Sequence, residues 1–195
     1  MSIILNIETS STNCSVSISD GAKIISLKEE NFEKYSHSKS LHVFIDELFK
    51  KIKLSPNDLS AVAISEGPGS YTGARLAYTF LSTLKLITEK DFLAYSNLTA
   101  LAWGKSDKVP VIKGNKNDFY YQKNNKEIYA ANINTFDEKL SFVSTEPISE
   151  IENLEILPDN IIAKNIVDMV SEGANHLTSN QPNYIKELQY RKLNG

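Results

Sequence analysis

The hydrophobic and polar positions of the chain first follow the period of strands and then change to the period of a helix. Three β-rich runs separated by polar turns are predicted to form an antiparallel meander: Ile3 to Ile7, Cys14 to Ser19 and Ala22 to Leu27. The Asp20-Gly21 pair is typical of a two-residue hairpin turn. The next apolar residues share one arc of a predicted helix: Leu41, Phe44, Ile45, Leu48, Phe49 and Ile52.

The pattern then alternates between strands and helices. A non-alternating apolar run, Ala61 to Ser65, predicts a buried strand. A glycine-rich loop leads into a predicted helix from about Gly73 to Thr88. The segments "DFLAYS" and "NLTALAWGK" add a short strand and a short helix. This order predicts a complete α/β lobe.

The composition changes after about Ser106, and a smaller second lobe is predicted there. It contains a strand in "VPVIKG", a hairpin around Asn124-Asn125, and a helix from about Asn160 to Glu172 that ends at Gly173. We therefore predict a first lobe over residues 1–105 and a second over residues 106–195.

The second helix is apolar over more than half of its circumference, which exceeds the ~100° stripe that one core contact needs. Its apolar positions are Ala74, Leu76, Ala77, Tyr78, Phe80, Leu81, Leu84 and Ile87. We predict that the part of this arc around Ala74, Tyr78 and Leu81 faces a partner helix. On this hypothesis a charge at Tyr78 leaves the monomer folded, whereas a charge at Leu84 unfolds the lobe.

Composition narrows the possible functions. The 195 residues carry a net charge of -3 with scattered lysines and arginines, so direct, tight binding to RNA or DNA is not expected. A single cysteine, Cys14, excludes an internal disulfide and a thiolate zinc cluster, and we expect it to be packed in a strand. No apolar window approaches the roughly 18 residues of a membrane span, and the start lacks a basic flank. These features predict a cytoplasmic protein.

The glycine loop "EGPGSYTGAR" is not a Walker loop, because Gly73 is followed by Ala74 and Arg75 rather than by Lys. Its glycine spacing also differs from the dinucleotide fingerprint. Two interpretations stay open. The loop is either a generic anion site at a helix N-terminus or, as we favour, a tight strand-to-helix turn capped by Ser70 or Thr72.

Two further segments could hold a ligand. In the turn "ETSSTN", Glu8, Thr9 and Ser10 are weak candidates for touching a nucleotide, although a plain hairpin is favoured. His37 and His42 are five residues apart, about 140° on a helix, and cannot share a metal as an i, i+4 pair does. No G-x-S-x-G elbow is present, so no catalytic residue is predicted.

Taken together, several segments resemble the bacterial TsaB family, the dimerisation subunit of the tRNA threonylcarbamoyladenosine synthase. They are "ILNIETSSTNCSVSI", "HSKSLHVFIDELFK", "LSAVAISEGPGSYTGARLA", "SNLTALA" and, near the end, "PNYIK". The resemblance implies an α/β fold of the actin-like, Hsp70-like (ASKHA) type, with two ribonuclease H-like lobes of which the second is small.

The resemblance also implies a function. Family members act as non-catalytic scaffolds of the complex that adds a threonylcarbamoyl group to adenosine next to the tRNA anticodon. They pair with the larger paralogue TsaD, work with the ATPase TsaE, form homodimers in isolation, and meet tRNA only through the complex. No cofactor, metal or membrane is implied. The residues expected to contact a partner are Gly69, Ser70, Tyr71, Thr72, Gly73, Ala74, Arg75, Tyr78 and Leu81.

The chain departs from the family pattern, and two alternative functions stay open. The usual Asp-Thr-Ser after the first strand is Glu8-Thr9-Ser10, and Lys113 stands where the second lobe usually starts with an Asp-Ala-Arg segment. One alternative is an ATP-binding phosphotransferase-like protein of the same fold, which would need a carboxylate at each lobe start. The other is a metallopeptidase-like relative. Leu41 stands where the second histidine of the paralogue's H-x-x-x-H metal helix would be.

Overall fold

The computed structural model describes residues 2–31, 37–114, 118–132, 136, 139–177 and 181–185. Within this part of the chain there are ten strands, four α-helices and one short 3₁₀ helix. In chain order they are β1 (Ile3–Glu8), β2 (Asn13–Asp20), β3 (Lys23–Asn31), α1 (His37–Ile52), the 3₁₀ helix (Pro56–Asp58), β4 (Ala61–Ser65), α2 (Tyr71–Lys85), β5 (Asp91–Tyr95), α3 (Asn97–Leu101), β6 (Val109–Lys113), β7 (Phe119–Lys123), β8 (Lys126–Ala130), β9 (Phe142–Ser144), β10 (Leu154–Ile156) and α4 (Ile161–Ser171).

The first sheet has five strands in the order β3-β2-β1-β4-β5. The antiparallel pairing of β1, β2 and β3 confirms the predicted meander, and β4 and β5 continue the sheet parallel to β1. The hairpin turn lies one residue later than predicted. Asp20 pairs with Lys23, so the turn residues are Gly21 and Ala22, and Gly21 has a φ of 58° that glycine adopts without strain.

Helices cover both faces of this first sheet. On one face α1 and α2 contact each other and enclose a core that includes Leu5, Leu48 and Leu81. On the other face α3 and α4 pack together, and Ile162 and Ile166 of α4 join residues of β1 and β4. Every residue of β1 and β4 is buried, as expected for sheet strands that are covered on both faces.

The second sheet also has five strands, in the order β10-β9-β6-β7-β8. Strands β7 and β8 form the predicted hairpin, with Asn124 and Asn125 at φ values of 52° and 58°. The predicted helix near the end of the chain is α4, and Gly173 follows it at a φ of 66°. Although α4 belongs to the second half of the chain, it packs on the first sheet, and a boundary at residue 105 stays a prediction.

Among the described residues, no helix is long and apolar enough to cross a membrane. The polar, basic end of the chain, residues 181–195, is expected from the sequence to run over the surface; of these, residues 186–195 lie outside the described ranges.

Candidate functional site

The carboxylate of Glu8 lies at the end of β1 and is enclosed by the turn that follows. Its Oε1 accepts hydrogen bonds from the backbone N–H and the hydroxyl of Ser10, at 2.6 and 2.8 Å, and from the Ser11 N–H at 3.0 Å. The Ser65 hydroxyl donates to the same oxygen at 3.2 Å, and the Ser11 hydroxyl donates to Oε2 at 2.6 Å. Five donors therefore converge on a carboxylate that is only 1% exposed.

This arrangement determines what the turn can bind. Successive backbone N–H groups in a turn make a concavity that holds anions such as phosphate. Here the N–H groups of Ser10 and Ser11 already point at the chain's own carboxylate, and the Thr9 hydroxyl donates to the Gly73 carbonyl at 2.7 Å. The three residues that the sequence offered for a nucleotide, Glu8, Thr9 and Ser10, are thus engaged inside the protein.

The glycine loop is shaped by the same turn. The Ser70 N–H donates to the Ser10 carbonyl at 2.6 Å. A Cβ at Gly69 would lie 2.4 Å from the Ser10 carbonyl oxygen, and one at Gly73 would lie 1.8 Å from the Thr9 carbonyl oxygen. These two glycines therefore allow a close backbone approach, and it is Gly67, with a φ of 97°, that needs glycine for its conformation.

Ser70 caps α2, because its hydroxyl accepts the Gly73 N–H at 3.1 Å, and this decides between the two predicted caps. The helix begins at Tyr71 rather than at Gly73 and ends at Lys85 rather than at Thr88. It lies beside α1.

The sequence predicts that the part of the α2 arc around Ala74, Tyr78 and Leu81 faces a partner helix, whereas the structure buries these side chains within the chain itself. Ala74, Tyr78 and Leu81 are only 4%, 5% and 3% exposed. Tyr78 and Leu81 belong to the core that α2 shares with the chain's own α1 and first sheet. Gly73 is buried as well. Of the residues predicted to contact a partner, those on the surface are Gly69, Ser70, Tyr71, Thr72 and Arg75, with Ser70 half-buried.

Three surface side chains form a cluster at the start of α2. The Arg75 Nη1 donates to the Tyr71 hydroxyl at 2.9 Å, and the guanidinium lies 5.2 Å from the Tyr71 ring centroid. The ring of Tyr184 lies 5.2 Å from that of Tyr71, so residues near the end of the chain reach the N-terminal end of α2. We refer to Tyr71, Arg75 and Tyr184 as the aromatic cluster.

The histidines and the cysteine take structural positions. His37 begins α1, is buried, and places its Nε2 3.0 Å from the Ser11 carbonyl oxygen, whereas His42 is exposed. Burial raises the pKa of the Cys14 thiol to about 12, which suits packing rather than nucleophilic attack. Within the described ranges, no three His, Cys, Asp or Glu side chains are grouped closely enough to hold a metal ion.

Sequence reasoning missed Glu66, which follows β4 directly and is 1% exposed. Its Oε1 has no hydrogen-bond partner, and its Oε2 accepts a long bond of 3.5 Å from the Tyr78 hydroxyl. Burial, followed by the nearby negative charge of Glu127, raises the pKa of Glu66 from 4.5 to about 7. The available sequence signal was an acidic residue placed directly between a buried strand and the glycine loop.

Comparisons with known proteins agree with this architecture. The family model "TsaD: tRNA N6-adenosine threonylcarbamoyltransferase" matches residues 32–178. A TsaB protein of Buchnera aphidicola subsp. Schizaphis graminum is 33% identical over 113 residues, which cover 56% of this chain and 53% of that protein. A TsaB protein of Buchnera aphidicola subsp. Acyrthosiphon pisum is 29% identical over 160 residues, covering 78% and 71%. The chain thus spans about half the length of the first relative.

Solved structures show the same fold. A Pseudomonas aeruginosa protein described as similar to peptidase YeaZ superposes with a TM-score of 0.72 at 17% identity, covering 95% of this chain and 100% of that one. YeaZ from Pseudomonas aeruginosa gives a TM-score of 0.67, also at 17% identity, covering 94% and 100%.

The two five-stranded sheets and these superpositions define a protein of the actin-like, Hsp70-like (ASKHA) fold class with a TsaD-type domain. More particularly, the chain belongs to the TsaB family of tRNA threonylcarbamoyladenosine biosynthesis proteins.

Proposed function

We propose that the protein is a non-catalytic scaffold in the complex that adds a threonylcarbamoyl group to adenosine next to the tRNA anticodon. In this proposal it pairs with a TsaD paralogue, the TsaE ATPase docks on the pair, and tRNA is met only through the complex. The protein forms a homodimer when the paralogue is absent, and it works in the cytoplasm. Membership of the TsaB family supports the assignment.

The observation that carries the proposal is the enclosed Glu8 carboxylate. A phosphotransferase of this fold would direct the N–H groups of the first turn at a nucleotide, whereas here Ser10 and Ser11 direct theirs at Glu8. The second lobe offers Lys113 at the end of β6, where the phosphotransferase hypothesis requires a carboxylate. Both features support a role in assembly rather than in chemistry.

The surface proposed for the partner is the outward side of α1 and α2 together with the exposed part of the glycine loop. Val43 on α1 is 41% exposed and Tyr71 on α2 is 43% exposed, next to the exposed Arg75. The half-buried rings of Phe44 and Phe80 pack at the edge of the core below them. A stable pairing would bury on the order of 1,600 Å² in total, which two helices and a loop can supply.

The test is capture of the TsaD paralogue by purified protein that carries a reversed charge on this surface. We expect Arg75→Glu to weaken capture by at least tenfold, because an interface penalises an unpaired, desolvated carboxylate. Lys164→Glu on the exposed side of α4 makes the same change of charge away from the surface and should leave capture unchanged. Equal capture by both variants would show that the partner binds elsewhere.

Reconstitution tests the non-catalytic role. The protein alone should neither hydrolyse ATP nor modify tRNA, and addition of TsaD, TsaE and the enzyme that makes threonylcarbamoyl-adenylate should restore modification. Turnover by the purified chain alone would contradict the proposal.

A further inference from the structure

Two carboxylates from different halves of the chain approach each other beside the glycine loop. Glu66 follows β4 of the first sheet, and Glu127 lies on β8 of the second. They are close enough that the charge of Glu127 contributes to the pKa of Glu66. The Ser96 hydroxyl, at the start of α3, donates to Glu127 Oε1 and ties that side chain to the first lobe.

A third segment joins the two carboxylates. We call residues 181–185 the clasp segment. The backbone N–H of Asn183 donates to the Glu66 carbonyl at 2.9 Å, and its side-chain Nδ2 donates to Glu127 Oε2 at 2.5 Å. Burial and the charge of Glu127 raise the pKa of the Glu66 carboxyl, and the Asn183 side chain lowers it by a smaller amount. One residue therefore contacts both halves of the chain.

Glu66 and Glu127 differ in their burial and in their hydrogen-bond donors. Glu127 accepts from Ser96 and from Asn183 and is half-buried, so donors and water stabilise its charge. Glu66 is buried, its Oε1 has no partner, and none of the ion pairs among the described residues includes it. The surroundings of Glu66 therefore favour the protonated form of its carboxyl.

Few of the described groups act on the protonation of Glu66. The titratable groups that act on the Glu66 carboxyl are Glu127 from β8, which repels its charge, and the Tyr78 hydroxyl from α2, which donates to it weakly. From β5, Tyr95 contributes its backbone carbonyl, which accepts the Glu66 N–H at 3.0 Å. Loss of the proton would place a second negative charge beside Glu127, in a site with little water to screen it.

We propose that Glu66, Glu127 and Asn183 form a proton-dependent clasp, which holds residues 181–185 against the glycine loop while Glu66 is protonated and loosens when Glu66 ionises. Displacement of Asn183 admits water, which screens the two charges and makes ionisation of Glu66 less unfavourable. Because the pKa of Glu66 is raised to about 7, the change falls near neutral pH.

The clasp also controls which side chains are exposed at the start of α2. Tyr184 follows Asn183 directly and lies against Tyr71, so release of the clasp segment uncovers the rest of the aromatic cluster. That this cluster is where a partner binds rests on the proposed function, but the clasp itself does not.

The test is amide hydrogen exchange of the isolated full-length protein between pH 5.5 and 8.5, corrected for the intrinsic rate. The backbone N–H of Asn183, which donates to the Glu66 carbonyl, should lose protection as the pH rises. Each unit by which the pKa of Glu66 is lower in the released state than in the clasped state should reduce the protection factor by about tenfold. The Leu177 amide, which donates to the Ala94 carbonyl, is the internal reference and should keep its protection.

Two variants make the test specific. Glu66→Gln keeps the shape of the protonated side chain and should make Asn183 protection independent of pH. Glu127→Gln removes the repelling charge and should move the midpoint of the change to lower pH. Glu172→Gln, at the exposed end of α4, is the matched control and should behave like the wild type.

Constant Asn183 protection across this pH range in the wild type would overturn the proposal, as would a pH dependence that persists in Glu66→Gln. An unshifted midpoint in Glu127→Gln would overturn the role of the carboxylate pair even if Glu66→Gln failed to fold. None of these measurements uses the paralogue, so a failure of partner capture would be recognised separately.

Discussion

Two carboxylates at the same edge of the first sheet have opposite surroundings. Glu8 ends β1, Glu66 follows β4, the two strands are parallel neighbours, and each side chain is 1% exposed. Glu8 accepts five hydrogen bonds, whereas Glu66 has one oxygen without a partner and one long bond from Tyr78. Two equally buried carboxyl groups therefore differ in the number of hydrogen-bond donors that surround them.

The difference gives the two residues different roles. Glu8 engages the N–H groups of Ser10 and Ser11, which are therefore not free for a phosphate, while Ser10 and Thr9 bond the turn to the glycine loop. Burial, followed by the charge of Glu127, raises the pKa of Glu66 to about 7, and hydrogen bonds from Tyr78 and Asn183 oppose this only in part. One carboxylate stabilises the scaffold, and the other makes a neighbouring segment responsive.

The largest effect is expected when a third carboxylate is placed beside Glu66. Tyr78→Glu would bury a charge next to Glu66 without a cation to pair it, so we expect a loss of several kcal/mol of folding free energy. Urea unfolding of the isolated protein measures it. This reverses the expectation from the sequence that the monomer tolerates a charge at Tyr78. A variant as stable as the wild type would show that Tyr78 faces solvent after all.

The second largest effect is expected where the start of α2 packs against the turn that follows β1. Gly73→Ala brings a Cβ to 1.8 Å from the Thr9 carbonyl oxygen, so backbone must shift, and we expect a loss of about 3 kcal/mol or more. Gly104→Ala is the control, because a Cβ there has no heavy atom within 4 Å and only its φ of 76° opposes alanine. It should cost about 1 kcal/mol. Similar losses in thermal or urea unfolding would contradict the close approach.

The same substitution at the two carboxylates should have opposite signs. At pH 8, Glu8→Gln replaces an acceptor by a donor that faces other donors and should cost about 2–4 kcal/mol in urea unfolding. Glu66→Gln should instead stabilise the protein by about 1–3 kcal/mol, because it removes a charge that burial disfavours.

The contribution of Glu66 to the free energy of unfolding should decrease as the pH rises. Its pKa is raised on folding, so its favourable contribution is complete below pH 4.5 and is lost as the pH rises through about 7. The advantage of Glu66→Gln over the wild type should therefore vanish below pH 4.5 and be complete above pH 7. An advantage of equal size at both ends of this range would refute the assignment.

The smallest effects concern the two histidines of α1. His37→Ala removes the contact with the Ser11 carbonyl in the turn that encloses Glu8, and we expect a loss of about 1–2 kcal/mol. The exposed His42 should change stability by less than about 0.5 kcal/mol on substitution by alanine. Thermal unfolding compares them, and a larger loss at His42 would reverse this ranking.

The strands and helices of the fold were predictable because turn residues and apolar periods are local. The meander, α1, β4 and the Asn124-Asn125 hairpin were confirmed on that basis. The wide apolar arc of α2 did not reveal what covers it. Residues of the chain's own α1 and first sheet share a core with Tyr78 and Leu81 of this arc.

The state of Glu66 could not be predicted from the sequence. It depends on Glu127 and Asn183, which lie far along the chain, and on an oxygen left without a donor, which only the assembled fold shows. The enclosure of Glu8 was closer to local, because Ser10 and Ser11 lie in the same turn. Its bond from Ser65 required the parallel pairing of β1 with β4.

The central claim is that the first turn is closed on its own carboxylate and does not hold a nucleotide. It is tested most directly by titrating the isolated ¹⁵N-labelled protein with Mg²⁺-ATP and following the amide resonances of Ser10 and Ser11. The enclosed Glu8 predicts that neither resonance shifts in a saturable way at millimolar ATP. Saturable shifts of both amides, with a nucleotide phosphate replacing Glu8 as their acceptor, would contradict the account.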